Sequence, residues 1–528
     1  MSQSMEKLTI RDASIWASNY LGRIVTPANI TYLVNYGRIK KIVENGQLYV
    51  SCSELKNYYE SYNGMREIQF TKRIGSDLNW ALSFDNIKEA ETTKHVHRLH
   101  PYKGKFIPQL VEYFLDDHTD DFKRKVYFQK GDIVLDPFCG SGTTLVQANE
   151  LGIHAIGIDI SQFNTLISNV KIAEYDLFQL KMDIQKITVN LQNYINQSKI
   201  TEFDNDLSTS LSKYNDTYFP SPDFKILVRE GEIDEKEYGD AKEKDFLPIY
   251  YDLIKKYNIN LTMNNPHNFL EKWYVEQILN EIYLVDAEIQ KIQNQQHKAL
   301  LSVILSRTMR SCRATTHSDL ATLKDPVVTT YYCRKHGKIC KPLFSIMKWW
   351  NTYTKDTLKR IEEFSRYRTN TFQICLTGDS RRLNILSSLS LQAPTFRDLV
   401  EKQKIQGIFS SPPYVGLINY HEQHAYAYDL FKFERMDKFE IGPLYMGSGL
   451  KAQESYVQGI SDVLINAKKY LVPDFDIFLV ANDKYNLYPK IAEISGMQIL
   501  EQFKRPVLNR TEKDKGAYSE IIFHLGGV

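Results

Sequence analysis

Apolar residues recur at helical spacing near the start of the chain and in short unbroken runs farther along, and the two patterns mark different elements. In ASIWASNYLG (13–22) Ile15, Trp16 and Leu21 are apolar at helical spacing, and the run stops at glycine. In the following VTPANITYLVNYGRI, Thr26 is placed as an N-cap and Pro27 as the first helical residue. Ile30, Leu33 and Val34 share one face of that helix, and Gly37 ends it. Asn45-Gly46 between KKIV and QLYV predicts a tight hairpin. A helix capped by Ser51 or Ser53 then runs through ELKNYY. After a connector over 63–94, HRLHPYKGKFIPQLVEYFL reads as a loop and an amphipathic helix with Ile107, Leu110, Val111 and Phe114 on its apolar face. DIVLDPFCGSGTTLVQANELG followed by HAIGIDIS reads strand, glycine turn, helix, strand. Unbroken apolar strands of this kind are covered on both faces, as in a parallel sheet. From about Gln162 to Asn370 strand signal nearly vanishes and long helical stretches take over. Strands resume at FQICLTGDS, IQGIFSSPPY, FDIFLVAND and SEIIFHL. The intervening segment is too long for an ordinary crossover and is predicted to be an insert.

These patterns predict an α/β fold, a doubly wound and mostly parallel sheet, interrupted by a mostly helical domain. The expected divisions are 1–62, a first part of the core over 63–165, the insert over 166–370, and a second part of the core over 371–528. The helix, turn, helix and hairpin of 1–62 resemble a winged helix-turn-helix of the excisionase type. That resemblance implies a DNA-binding module, with Asn29, Tyr32 and Asn35 toward a major groove and Arg38 on phosphate. The alternative is a small domain that mediates protein contacts only.

At 528 residues, 43% hydrophobic and 25% charged, the chain has the composition of a globular protein of two to four domains. The formal charge of +2 says nothing of partners, but its distribution is uneven. Residues 301–370 carry 14 Lys and Arg against 5 Asp and Glu, while 201–250 carry 6 against 13. The basic segment is either a polyanion footprint or a solvated helix face; the acidic one is expected to be partly mobile. The start, MSQSMEKLTIRD, lacks the apolar core of a signal peptide, and no run approaches the roughly 18 apolar residues of a membrane span. Six cysteines are too few for a disulfide scaffold. A cytoplasmic protein with reduced thiols and no membrane partner is expected.

Two strings carry chemistry. DPFCGSGTT (136–144) follows a strand and opens a helix. There Gly140 and Gly142 supply positive φ and close approach, and the helix starting near Thr143 turns its free N–H groups toward a ligand. Asp136, Pro137, Phe138, Gly140, Gly142 and Thr143 are therefore candidate contacts for a nucleoside cofactor. Asp159 closes the next strand about 20 residues on, where a carboxylate accepts ribose hydroxyls. Asp379 closes a later strand and is a candidate for the adenine amino group. The second string is SSPPY (410–414). An aromatic amino nitrogen attacks a methyl sulfonium only once acceptors on its N–H groups push it toward sp³ character. The Ser411 oxygen and the Pro412 carbonyl supply such acceptors, Pro412 and Pro413 stiffen the turn, and Tyr414 offers a stacking face for a flipped base. Methylation at cytosine C5 is excluded, because it requires a nucleophilic cysteine, usually in a Pro-Cys pair, and no such pair exists.

DPFCGSGTT, GIDIS and TGDS are similar to the successive cofactor motifs of DNA amino-methyltransferases, and SPPY to their catalytic motif. HPYKGKF (100–106) resembles the segment that folds over the methionine part of the cofactor there, which implies cofactor roles for Tyr102 and Phe106. The resemblance implies S-adenosylmethionine as cofactor, double-stranded DNA as substrate and a restriction endonuclease as functional partner. Serine at the head of the catalytic motif is commoner among cytosine-N4 enzymes, so cytosine is the expected target and adenine-N6 the alternative. Further alternatives are a DNA-binding regulator with a silent core, and methylation of RNA or of a protein amide. In this arrangement of motifs the insert reads DNA, which makes Arg310 and Arg313 of RTMRSCRATTHSDL candidates for guanine or phosphate contact. RPVLNRTEKDKGAYSEIIF resembles the family's last block, with Arg510 bordering the base pocket. Cys312, Cys333, His336 and Cys340 form a set of soft ligands, but C-x2-H-x3-C does not fit a standard finger; buried thiols and a surface histidine with no metal are expected, and a structural zinc site is the alternative. His421 and His424 in YHEQHAYAYDLF are expected to be structural or DNA-facing rather than ligands, within the helix that follows the catalytic strand.

Overall fold

The unbroken apolar runs become neighbouring strands of one sheet. The computed structural model describes residues 7–21, 25–35, 39–44, 47–62, 77–84, 87, 89–102, 104–120, 122–261, 268–317, 325–507 and 518–527. In chain order its strands are β1 (Lys7–Thr9), β2 (Ile42–Glu44), β3 (Gln47–Ser51), β4 (Ile133–Asp136), β5 (His154–Asp159), β6 (Tyr331–Cys333), β7 (Lys338–Cys340), β8 (Gln373–Thr377), β9 (Ile405–Ser410), β10 (Leu471–Ala481), β11 (Met497–Pro506) and β12 (Ser519–Gly527). The chain divides into two units made of interleaved segments. One comprises 1–73, 190–281 and 311–346, and the other 74–189, 282–310 and 347–528. The stretch 166–370, expected to be one insert, is thus shared between them.

The larger unit holds a seven-stranded sheet in the order β11-β12-β10-β9-β4-β5-β8. The pairs β5–β8, β4–β5, β4–β9 and β9–β10 are parallel, whereas β12 runs antiparallel to both β10 and β11. Every residue of β4 is buried, because the strand lies in the middle of the sheet. Ile133, Leu135, Ile156, Ile408, Ile477 and Leu479 form the centre of the core. Truncating one of these to alanine costs about 2 to 5 kcal/mol in a core of this kind. β11 was not expected: its first strand half alternates little and exposes Gln498, Glu501 and Gln502, as an edge strand does. The helix Gln295–Ser311 also belongs to this unit and is buried along Leu300–Met309. Its Arg307 donates to Asp356 (2.6 Å), so this part of the basic segment is core rather than a solvated face.

In the smaller unit β3 lies between β1 and β2, both antiparallel to it. Helices Ile10–Leu21, Pro27–Asn35 and Cys52–Tyr62 pack on Ala13, Ala17, Ile30, Leu33, Val34, Val50 and Leu55. Small residues face inward on the first helix, and Ile15, expected on its apolar face, is 54% exposed. Thr26 caps the second helix: its hydroxyl accepts from Asn29 N–H (3.3 Å), and Asn29 Oδ1 accepts in return from Thr26 N–H (2.9 Å). The turn at 45–46 and Gly37 lie outside the described residues. The acidic stretch from Glu202 to Asp245 is ordered as helices Ile200–Tyr218, Asp223–Glu230 and Glu235–Tyr257, packed around Phe203, Leu207, Phe246 and Tyr250. Among the described residues no helix is long and apolar enough to cross a membrane.

Candidate active site

From β4 the chain crosses to β5 on one side, while β9 lies on its other side and leads to β10. This reversal opens a crevice beyond the carboxyl ends of β4 and β9, where α/β sheets bind ligands. DPFCGSGTT leaves β4 and SSPPY leaves β9, so the two informative strings meet there. One hydrogen bond joins them: the Ser410 hydroxyl donates to Asp136 Oδ1 (2.5 Å). Asp136 also accepts from Phe138 N–H (3.2 Å). Burial pushes the Asp136 pKa up to about 6 against these donors.

A cleft of about 820 Å³ opens between the turns. Pro137, Phe138, Gly140 and Thr143 line it from the first turn, and Ser411 and Pro413 from the second. Asp159, Asp379, Tyr102 and Phe106 complete the expected lining. Asp136, Gly142, Pro412 and Tyr414 do not line it. Asp136 instead ties the turns together, and Gly142 (φ 76°) is the left-handed N-cap of helix Thr143–Glu150, packed on Ser168. Tyr414 donates its hydroxyl to Glu520 (2.8 Å).

Asp159 is 9% exposed. Its Oδ2 accepts from Gly140 N–H (2.8 Å), and its Oδ1 from Ser161 N–H (2.8 Å) and Asn164 (3.1 Å). Burial outweighs these donors and pushes its pKa up to about 6. At Asp379 the balance is reversed. Burial raises its pKa, but a bidentate Arg381 (2.8 and 2.9 Å), the Arg381 N–H and Arg382 (3.0 Å) together hold it below the ordinary carboxylate range. The expected adenine contact is therefore already occupied by two guanidinium groups. The Ser411 hydroxyl donates to the Val480 carbonyl (3.1 Å), which leaves its lone pairs for another donor. Lys105 also lines the cleft, and burial brings its pKa down to about 8.

These residues fit a nucleoside cofactor with an amino-acid tail. At Gly140 a Cβ would reach 3.0 Å from the Tyr102 hydroxyl, so only glycine lets the turn and this ring close together. Two buried atoms of lining residues, Ser141 Oγ and Asn164 Oδ1, find no partner among the described residues and are available to a ligand. Sequence reasoning missed Lys105, Asn164, Ser380, Tyr420, Phe439 and Glu440 of this lining. Ser161 and Asn164 stand in a signal that was present, the S-x-x-N start of a helix after the second strand, where the Ser161 hydroxyl accepts from Asn164 N–H (3.2 Å). Tyr420, Phe439 and Glu440 carry no local signal.

The helix expected over 420–431 is broken at His424 into Tyr420–Gln423 and Ala425–Phe431. His421 is fully buried, bonded through Nδ1 to Glu440 and accepting Met436 N–H at Nε2 (3.2 Å), so it is structural and does not face DNA. Arg313 is 7% exposed and Arg310 is half-buried. Asn29 is exposed, but its side-chain oxygen is engaged in the helix cap. The side chains of Tyr32 and Asn35, and all of Arg38 and Arg510, lie outside the described residues. Cys312 is not part of the soft-ligand group that the structure assembles; His317 stands there with Cys333, His336 and Cys340.

A mostly parallel sheet whose glycine turn and Ser-Pro-Pro-Tyr turn meet at one cleft fits an α/β methyltransferase. The DNA methylase family matches residues 38–170. The Type II methyltransferase M.MjaII of Methanocaldococcus jannaschii is 45% identical over 530 residues, covering 99% of this chain and 98% of its own. M.BsoBI of Geobacillus stearothermophilus, also a Type II methyltransferase, is 32% identical over 22% of each chain. The Type II methyltransferase M.MvaI of Kocuria varians is 31% identical over 24% of this chain and 25% of its own. The chain belongs to the DNA amino-methyltransferases of the restriction-modification type, the N4/N6 class, and its cofactor is S-adenosylmethionine.

Proposed function

We propose that this enzyme methylates the exocyclic N4 of cytosine within a specific sequence of duplex DNA, and so protects that sequence from a partner restriction endonuclease. The observation that carries the chemistry is the Ser411 hydroxyl. It faces the same cleft as the glycine turn, and its hydrogen is committed to the Val480 carbonyl (3.1 Å), so its oxygen accepts from an amino N–H. Serine at this position favours cytosine over adenine.

In this reading Asp159 accepts from the ribose hydroxyls with the lone pairs that Gly140, Ser161 and Asn164 leave. Pro137, Phe138, Gly140 and Thr143 shape the floor of the cofactor site, with Asp136 and Gly142 holding the turn from beneath. Tyr102 and Phe106 close over the methionine part. Asp379, charged and held by the bidentate Arg381, accepts from the adenine amino group in place of the exposed Arg382, which gives up its hydrogen bond when the cofactor binds. When bound, the cofactor supplies an electrophilic methyl on a sulfonium that departs as a neutral thioether. Ser411 and the Pro412 carbonyl take one amino N–H each, which turns the nitrogen lone pair out of conjugation and toward that methyl. Pro412 and Pro413 keep both acceptors aimed, so little reorganisation is left for the reacting complex. Tyr414, its hydroxyl anchored on Glu520, stacks on the flipped base.

Residues 1–62 are proposed to act as a winged helix-turn-helix on DNA, supported by the order helix, helix, hairpin between Ile10 and Ser51. Asn29, Tyr32, Asn35 and Arg38 are its proposed contacts, Asn29 through its amide nitrogen. Target reading is assigned to the region 166–370, with Arg310 on phosphate. The test is to incubate the protein with labelled S-adenosylmethionine and a mixture of duplex DNA and RNA of mixed sequence, separate the two, digest each to nucleosides and identify the methylated one. N4-methylcytosine is expected. N6-methyladenine overturns the choice of base, and label found only in RNA overturns the choice of substrate.

A further inference from the structure

The smaller unit assembles a cluster that methyl transfer does not use. β6 and β7 form an antiparallel hairpin with Tyr331 opposite Cys340 and Cys333 opposite Lys338. Its turn folds back tightly: His336 N–H (3.0 Å) and Gly337 N–H (2.7 Å) both donate to the Cys333 carbonyl, with Gly337 at φ 61°. This knuckle sets His336 Nδ1 at 3.5 Å from Cys333 Sγ and at 3.5 Å from Cys340 Sγ. His317, on a different stretch of chain, brings its ring to 4.5 Å from that of His336, centre to centre. One ligand atom from each of His317, Cys333, His336 and Cys340 lies within 4.8 Å of all the others.

We infer that these four residues bind a structural zinc ion. With Zn–S near 2.3 Å and Zn–N near 2.0 Å, a tetrahedron has S···N edges of about 3.5 Å; both measured sulfur–nitrogen distances have that length. Two cysteines and two histidines are a complete structural set, and two thiolates balance the charge of the ion, their two protons passing to solvent. Tyr331 supplies the outer support that zinc-bound histidines need: its hydroxyl lies 2.9 Å from His317 Nδ1, which leaves Nε2 as the metal-binding nitrogen. Two three-residue strands are too short to persist alone. Among the described residues Tyr331, Cys333 and Cys340 form a small apolar cluster with Val327, while Ile339 and Tyr332 of the same hairpin join the larger core of the helices. Asn215 grips Ile339 through two hydrogen bonds (2.9 and 3.0 Å), and Glu243 accepts from Tyr332 N–H (2.8 Å), so the metal would join His317 to a hairpin already docked on two helices. Neither Cys333 nor Cys340 is in a disulfide, so none competes for these sulfurs.

The test is elemental analysis of the full chain, purified without chelator and dialysed against metal-free buffer. About one zinc per chain is expected. Exchange into cobalt(II) should give the intense visible bands of a tetrahedral thiolate site. This second readout uses the unaltered chain, so it stands even if a variant misfolds. Cys333→Ser and Cys340→Ser should each lose the metal, and Cys52→Ser, outside the cluster, should keep it. The inference is overturned by less than a tenth of an equivalent of zinc after incubation with excess zinc, by cobalt spectra of an octahedral site, or by full zinc retention in both cluster variants. None of these readouts depends on methyl transfer.

Discussion

Lowering the pH through 6 should weaken cofactor binding, and Asp159 is the reason. Its carboxyl is buried, with a pKa raised to about 6, yet in the proposed complex it must be ionised to accept two ribose hydroxyls. Proton and cofactor therefore compete. Because the folded-state pKa is raised, the proton favours the empty folded protein, and affinity is lost as the pH falls. Near pH 5 only about one carboxyl in ten is ionised, so the dissociation constant should rise about tenfold from pH 7 to pH 5, equivalent to about 1.4 kcal/mol. Asp159→Asn removes this titration and exchanges charge-assisted hydrogen bonds for neutral ones. That should cost about 2 to 3 kcal/mol at pH 8, roughly 30- to 150-fold in affinity. Isothermal titration of S-adenosylmethionine at pH 5, 6, 7 and 8 measures both effects. Asp136 titrates in the same range but lies beneath the turn, so Asp136→Asn serves as the control and should keep the tenfold dependence. A dissociation constant for the unaltered protein that moves less than twofold from pH 7 to pH 5 would refute the reasoning, as would an Asp159→Asn protein that keeps the tenfold loss.

Three further outcomes follow from the same geometry. Gly142→Ala should lower stability by about 1 to 3 kcal/mol in urea denaturation, because φ is 76° and the new Cβ would lie 3.1 Å from the Ser168 Cα. Ser411→Ala should lower kcat about 10- to 100-fold, with cofactor affinity within a factor of two, since it removes one of the two acceptors proposed to act in the transition state. Arg313→Ala should lower the thermal midpoint without changing the salt dependence of DNA binding; a slope reduced by about one would show that the side chain touches phosphate after all.

What the sequence made legible was what neighbours in the chain decide. β4, β5, β9, β10 and β12 stood out because strands inside the sheet are apolar over most of their length, β8 stood out at the sheet's edge by its short apolar run, and the two turns stood out because glycines and prolines constrain the backbone wherever they occur. The Thr26 cap was equally local. The failures came from distance. Arg307 and Arg313 looked like a basic surface, yet Arg307 is neutralised by Asp356, 49 residues away, and Arg313 is buried. β11 carries too many polar residues on its edge to be recognised without β12. His317 joins Cys333, His336 and Cys340 through a loop whose path no spacing rule contains, whereas Cys312, nearer to a familiar pattern, lies elsewhere. In the cleft, Glu440 and Phe439 arrive from the long connection between β9 and β10, where nothing repeats.

The interleaving of the two units bears on how the enzyme is made. The smaller unit lacks its last segment until residue 346 has been synthesised, and the larger lacks its own until β12 has emerged. The DPFCGSGTT turn leaves the ribosome early but must wait for Ser410 to meet Asp136, 274 residues later. Early on, the nascent chain therefore exposes the two outer edges of the apolar β4–β5 pair, with β8 and β9 still to come. Aggregation during synthesis, rather than weakness of the finished fold, is then the hazard that limits yield. Slowing translation before β8 should worsen it, and a chaperone that shields β4 and β5 should relieve it.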